Sequence, residues 1–86
     1  MKILVVDDEP LARERLLRLV RRLQPGAECS DVASGQEALQ LVESLGPDLV
    51  LLDIRMPGMD GIEVATHLDT LENPPAIVFC TAFDEY

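Results

Sequence analysis

The sequence predicts an α/β fold, a doubly wound parallel sheet, from three observations. Apolar runs of strand length alternate with segments of helical periodicity. Two of the runs, Ile3-Leu4-Val5-Val6 and Leu49-Val50-Leu51-Leu52, are uninterrupted aliphatic stretches, which suit strands covered on both faces. Both end in carboxylates, Asp7 and Asp8 after the first and Asp53 after the second. The ends of parallel strands are where open α/β sheets place their ligands.

Each element follows from local chemistry. Strand one runs from Lys2 to Val6. Pro10 suits the first turn of a helix, and Ala12, Leu16, Leu19, Val20 and Leu23 recur at helical spacing until Gln24-Pro25-Gly26 stops it. A short mixed strand follows, about Glu28 to Ala33. Ser34 and Glu37 have the spacing of a capping box. The helix they open carries Ala38, Leu41, Val42 and Leu45, and Gly46-Pro47 ends it. Strand three runs from Asp48 to Asp53. Arg55-Met56-Pro57-Gly58-Met59-Asp60-Gly61 reads as a loop, with Met56 and Met59 packing it and Asp60 capping a third helix through about Leu71. Asn73-Pro74-Pro75 stops that helix, and Ala76 to Cys80 forms a fourth buried strand. Right-handed crossovers make this βαβαβαβ string a doubly wound sheet. A last strand without cover leaves an open edge, so the expectation is one domain over 1–86, incomplete at its C-terminal end.

Composition narrows the function. The chain has 86 residues and a net charge of −9, with 48% hydrophobic and 27% charged residues. That balance fits a small globular domain and opposes direct grip on nucleic acid, which needs a basic surface. Arg13, Arg15, Arg18, Arg21 and Arg22 all fall in the first helix, as a partner-docking face or as a solvated face with pairs such as Glu14 and Arg18. His67 reads as a surface residue. No run is long enough to span a bilayer and no signal peptide opens the chain; the expected location is cytoplasmic.

Asp7, Asp8 and Asp53 would converge at the sheet end. Like charges so close raise one another's pKa, and a hard divalent cation relieves them; carboxylate oxygens select Mg²⁺. One carboxylate remains for chemistry.

At this point the motifs match a known family. Ile3 through Pro10, Asp53-Ile54-Arg55-Met56-Pro57-Gly58-Met59-Asp60-Gly61 and Thr81-Ala82 together resemble a response-regulator receiver domain, with a flavodoxin-like, CheY-like fold. The resemblance implies strand order 2-1-3-4, without the family's fifth strand and last helices. It implies that Asp53 is the phosphoacceptor for a histidine kinase or phosphotransfer protein. Mg²⁺ would be held by Asp7, Asp8, Asp53 and the Arg55 carbonyl, while the Thr81 hydroxyl and the Ala82 amide meet the phosphoryl group. With that order, Cys29 and Cys80 lie on strands about 14 Å apart, beyond disulfide reach, and are expected as reduced thiols. The family's fifth-strand lysine and aromatic switch residue have no counterpart; Lys2 is the only lysine. The chain is therefore expected to bind Mg²⁺, to accept phosphate poorly and not to complete the switch.

Glu9 through Leu16 and Thr81-Ala82-Phe83-Asp84-Glu85-Tyr86 are similar to regulators with a LytTR-type output domain. DNA would then be met only through an output domain absent from this chain. Other classes fit less well. A haloacid-dehalogenase-type phosphohydrolase places an acid two positions after its nucleophile, where this chain has Arg55 relative to Asp53. Relative to Asp7 that position is Glu9, without the expected threonine after it. A flavin phosphate would be repelled by Asp7-Asp8-Glu9. A truncated, non-switching binding or homodimerisation module is the remaining alternative.

Overall fold

Aliphatic runs and capped helices condense into seven elements in the computed structural model, which describes residues 1–80. They are β1 (Lys2–Val6), α1 (Pro10–Leu23), β2 (Glu28–Val32), α2 (Gly35–Leu45), β3 (Leu49–Leu52), α3 (Gly61–Leu68) and β4 (Ala76–Phe79). The strands form one sheet in the order β2-β1-β3-β4, and every neighbouring pair is parallel. This is the doubly wound, flavodoxin-like arrangement expected.

Strand alternation divides the apolar residues between two faces. Leu4 and Val6 of β1 and Val50 and Leu52 of β3 are fully buried beneath Ala38 and Val42 of α2 and Val64 and Leu68 of α3. Met56 of the β3–α3 loop completes this core and Met59 packs against it, as loop packing predicts. Ile3 and Val5 point to the other face, where α1 packs on β1 and β2.

The caps act as the sequence implies. Ser34 Oγ caps the helix by accepting from the Glu37 N–H at 3.2 Å, and its hydroxyl donates to Glu37 Oε2 at 3.0 Å in place of the backbone bond of a full capping box. Asp60 Oδ1 accepts from the Glu63 N–H at 2.9 Å at the head of α3. Gly46 ends α2 at φ 60°, the left-handed conformation that favours glycine, and its N–H returns to Val42 O. Ser34→Ala should lower stability by about 1 kcal/mol, read as a melting temperature roughly 4–8 °C lower.

Five expectations need correction. The buried stripe of α1 is Leu17 and Val20, while Leu19 (49%) and Leu23 (68%) are exposed. Spacing alone could not say which side of this leucine-rich helix the sheet would take. β4 is not a buried strand: Val78 is 48% and Phe79 43% exposed, and on the Val78 side α1 lies over β1 and β2 rather than β4. Helix α3 ends at Leu68 rather than Leu71, since the Thr70 and Leu71 N–H groups turn back to carbonyls three residues earlier, His67 O and Leu68 O. Glu14 and Arg18 form no ion pair; among the described residues the pair is Arg13 with Asp31, Nε to Oδ2 at 3.0 Å. Asp48, Asp53, Ala33 and Cys80 flank their strands instead of ending them.

Candidate metal centre

The ladder hydrogen bonds place the acidic residues. The register pairs Val6 with Leu52, and one step beyond it the Asp53 N–H donates to Val6 O at 2.9 Å. Asp7 is the next residue on the neighbouring strand. Its N–H donates to Val32 O at 3.3 Å on the far side, so β1 is clamped between β2 and β3 where the acids emerge. Asp7, Asp8 and Asp53 each offer a carboxylate oxygen, and those atoms lie within 4.8 Å of one another. The sequence-level convergence of the three is thus present in the fold.

Asp7 is buried and Asp8 and Asp53 half-buried. Asp7 Oδ1 accepts from the Glu9 N–H at 2.9 Å, and Asp53 Oδ1 from the Arg55 N–H at 3.2 Å. Burial raises the Asp53 pKa above 3.8, the Asp7 charge adds to it, and Asp8 does so by charge and by carboxyl contact; the Arg55 N–H opposes them and is outweighed. Such a set of oxygens, short of positive charge, fits a hard cation such as Mg²⁺. Burial, then Asp7 and Asp53, likewise push the nearby Cys80 thiol up, which disfavours the reactive thiolate. Cys29 and Cys80 are both free, as expected.

The raised Asp53 value has a consequence for stability. Between about pH 3.8 and the raised value, the folded chain keeps a proton that the unfolded chain has released. Asp53 therefore opposes folding above that window and ceases to do so as pH falls through it. Asp53→Asn should raise the melting temperature at neutral pH. The increment should vanish below pH 3.8, in melts of both proteins at the two pH values.

Of the other expected site residues, Arg55 sits two positions after Asp53 with an exposed side chain. Thr81 and Ala82 lie outside the described residues. His67 is exposed, as read from the sequence. One contributor escaped the sequence reading. Arg13 Nη1 donates to the Asp7 carbonyl at 2.9 Å while its Nε holds Asp31. The available signal was its spacing, since Arg13, Leu17 and Val20 fall at i, i+4 and i+7 on one face of α1.

Comparisons with known proteins agree with this geometry. The family described as "Response regulator receiver domain" matches residues 3–86. The positive alginate biosynthesis regulatory protein of Pseudomonas aeruginosa is 58% identical, with all of this chain aligned to 35% of that protein. The transcriptional regulatory protein BtsR of Salmonella typhi is 46% identical over all of this chain and 36% of its own length. For the sensory transduction protein LytT of Bacillus subtilis the identity is 37%, with the same coverage. The chain thus spans about a third of the length of the curated relatives it matches. Among solved structures, the response regulator TrrA of Thermotoga maritima, in complex with Mg²⁺-BeF, superimposes with a TM-score of 0.86. It is 41% identical, covering 96% of this chain and 70% of that one. No helix among the described residues is long and apolar enough to cross a membrane. With its fold, its acidic strand ends and these relatives in agreement, the chain belongs to the response-regulator receiver domains of two-component signalling.

Proposed function

We propose that this receiver accepts a phosphoryl group on Asp53 from a histidine kinase or phosphotransfer protein, in a Mg²⁺-dependent step. The observation that carries the reading is the meeting of the Asp7, Asp8 and Asp53 oxygens at the ends of adjacent strands. Asp8 is assigned as a direct ligand, Asp7 as a direct or water-bridged one, and Asp53 with the Arg55 carbonyl as the rest of the protein's set. When bound, the cation neutralises the phosphoryl oxygens and the carboxylates that would repel them.

Asp53 is the nucleophile. Its free carboxylate oxygen bonds to phosphorus as the P–N bond to the donor histidine breaks, the imidazole nitrogen keeping the electron pair. The product is an acyl phosphate, one per chain, so the protein is a phosphoacceptor rather than a turnover enzyme. The Arg55 N–H holds Asp53 Oδ1 and leaves the other oxygen to react. The Thr81 hydroxyl and the Ala82 amide are assigned to the transferred group. Lys2 donates to Leu45 O at 3.2 Å, at the opposite end of the sheet. It lies away from the acidic strand ends and cannot contact a phosphoryl group on Asp53.

The relatives named as regulators support a further step: phosphorylation governs a DNA-binding output of LytTR type outside these residues. The test of the central reading is incubation with a small-molecule phosphodonor and Mg²⁺, followed by intact mass. One added phosphoryl group is expected with Mg²⁺ and none after chelation; equal labelling without the metal would refute it. A second reading, homodimerisation through β4, is favoured by exposed Val78 and Phe79. A dimer on size exclusion that Val78→Lys dissociates would support it.

A further inference from the structure

We infer that Arg13 is a positioning residue for the cation site, acting through the Asp7 main chain, and that Asp31 of β2 holds it in place. The inference rests on the metal-site reading above and adds a part to it. Asp7 has four polar atoms, and the fold engages three. Its N–H meets Val32 O at 3.3 Å, its Oδ1 takes the Glu9 N–H at 2.9 Å, and its carbonyl takes Arg13 Nη1 at 2.9 Å. The N–H bond is long for its type, so the arginine contact is the firmer main-chain tie. Oδ2 is the Asp7 polar atom without a hydrogen-bond partner among the described residues.

The consequence extends to Asp8. The Asp7 carbonyl and the Asp8 N–H belong to one planar peptide, so the orientation of one sets the direction from which the Asp8 side chain leaves. Asp7 is 6% exposed, and without Arg13 its carbonyl would lose a partner in a place where water is scarce. Arg13 is itself fixed at both ends. Its Nε donates to Asp31 Oδ2 at 3.0 Å, and its side chain is 19% exposed. A guanidinium can make both contacts with a rigid fork, whereas an ammonium is a single point of charge. Arg13 thus ties three elements, α1, the end of β1 and β2, at the residue that presents the carboxylates.

Charge and position predict opposite signs, which makes the inference testable. Removing a cation beside an acidic cluster should by Coulomb's law alone tighten Mg²⁺ binding. Loss of a group that orients the ligands should weaken it, by about tenfold. Mg²⁺ titration of the 86-residue chain, followed by amide shifts, measures the dissociation constant, and a thermal melt measures stability separately. Arg13→Ala and the charge-conserving Arg13→Lys should both raise the dissociation constant, and Asp31→Ala should do so in the same direction. Arg21→Ala removes the same charge from an exposed site on α1 and should leave binding unchanged. Unchanged or tighter binding in the Arg13 variants, with only a lower melting temperature, would show that Arg13 merely fastens α1 to β2. Should Arg13→Ala fail to fold, the charge-conserving Arg13→Lys decides by the same criterion. If the unaltered chain binds no Mg²⁺, the metal-site reading itself falls, and this inference with it.

Discussion

Asp53→Asn takes up no phosphoryl group from a small-molecule donor, while the unaltered chain shows a singly phosphorylated species by intact mass. The amide has the shape of the carboxylate but neither its negative charge nor a comparable nucleophilic oxygen, so the loss should be complete rather than partial. The fold should survive, because the Asp53 N–H bond to Val6 O is a backbone bond that the substitution leaves alone. It should in fact be more stable at neutral pH, since one of three crowded charges is gone. Loss of labelling together with a higher melting temperature separates a chemical role from a structural one. Continued labelling of Asp53→Asn would move the acceptor to another residue and overturn the assignment.

Gly61→Ala is expected to be the most disruptive single methyl in the described structure. A Cβ at Gly61 would collide with the Asp53 carbonyl oxygen and would stand 2.8 Å from Ile54 Cα, and both obstacles are backbone. Gly61 has no need of a positive φ; it is small because the first turn of α3 lies directly against the residue that carries the site. The Gly61 N–H also donates to Ile54 O at 2.8 Å, which holds the two segments together. Overpacking of this kind costs about 3 kcal/mol at the upper end of its usual range, a melting temperature lowered by roughly 12 °C or more. Mg²⁺ affinity and phosphorylation should fall even at temperatures where the chain is folded, because relief of the clash moves Asp53 away from Asp7. Leu52→Ala provides the contrast. It removes a fully buried side chain and costs about 2–5 kcal/mol, yet leaves the backbone under Asp53 in register. Its folded fraction should still accept phosphate. Equal activity losses in the two variants, at matched folded fraction, would mean that the close approach at Gly61 has no bearing on the site.

Both variants show how much of the site was legible in advance. The acids at positions 7, 8 and 53 could be read because each follows an aliphatic run, and in parallel strands equivalent ends meet. The capping residues Ser34 and Asp60 were legible for the same kind of reason, since a cap is a bond to the N–H three residues along. The tightness at Gly61 was not. A glycine after Met59-Asp60 reads as loop punctuation until the packing of α3 against the end of β3 is known.

What the sequence by itself determined is therefore whatever depends on near neighbours: the alternation of elements, their approximate limits, the caps and the acidic strand ends. Apolar period and capping are encoded within a few residues, so they survive without knowledge of the fold. Only the tertiary structure decided which side of α1 is buried, how far β4 is covered and which arginine turns inward. Leu17 and Leu19 are chemically identical, and the sheet beneath α1 is what separates them. The Arg13–Asp31 pair joins residues 18 apart on different elements, and its contact with the Asp7 carbonyl exists only once β1, β2 and α1 are packed together. Such contacts depend on distances through space, and no local pattern of residue types encodes them.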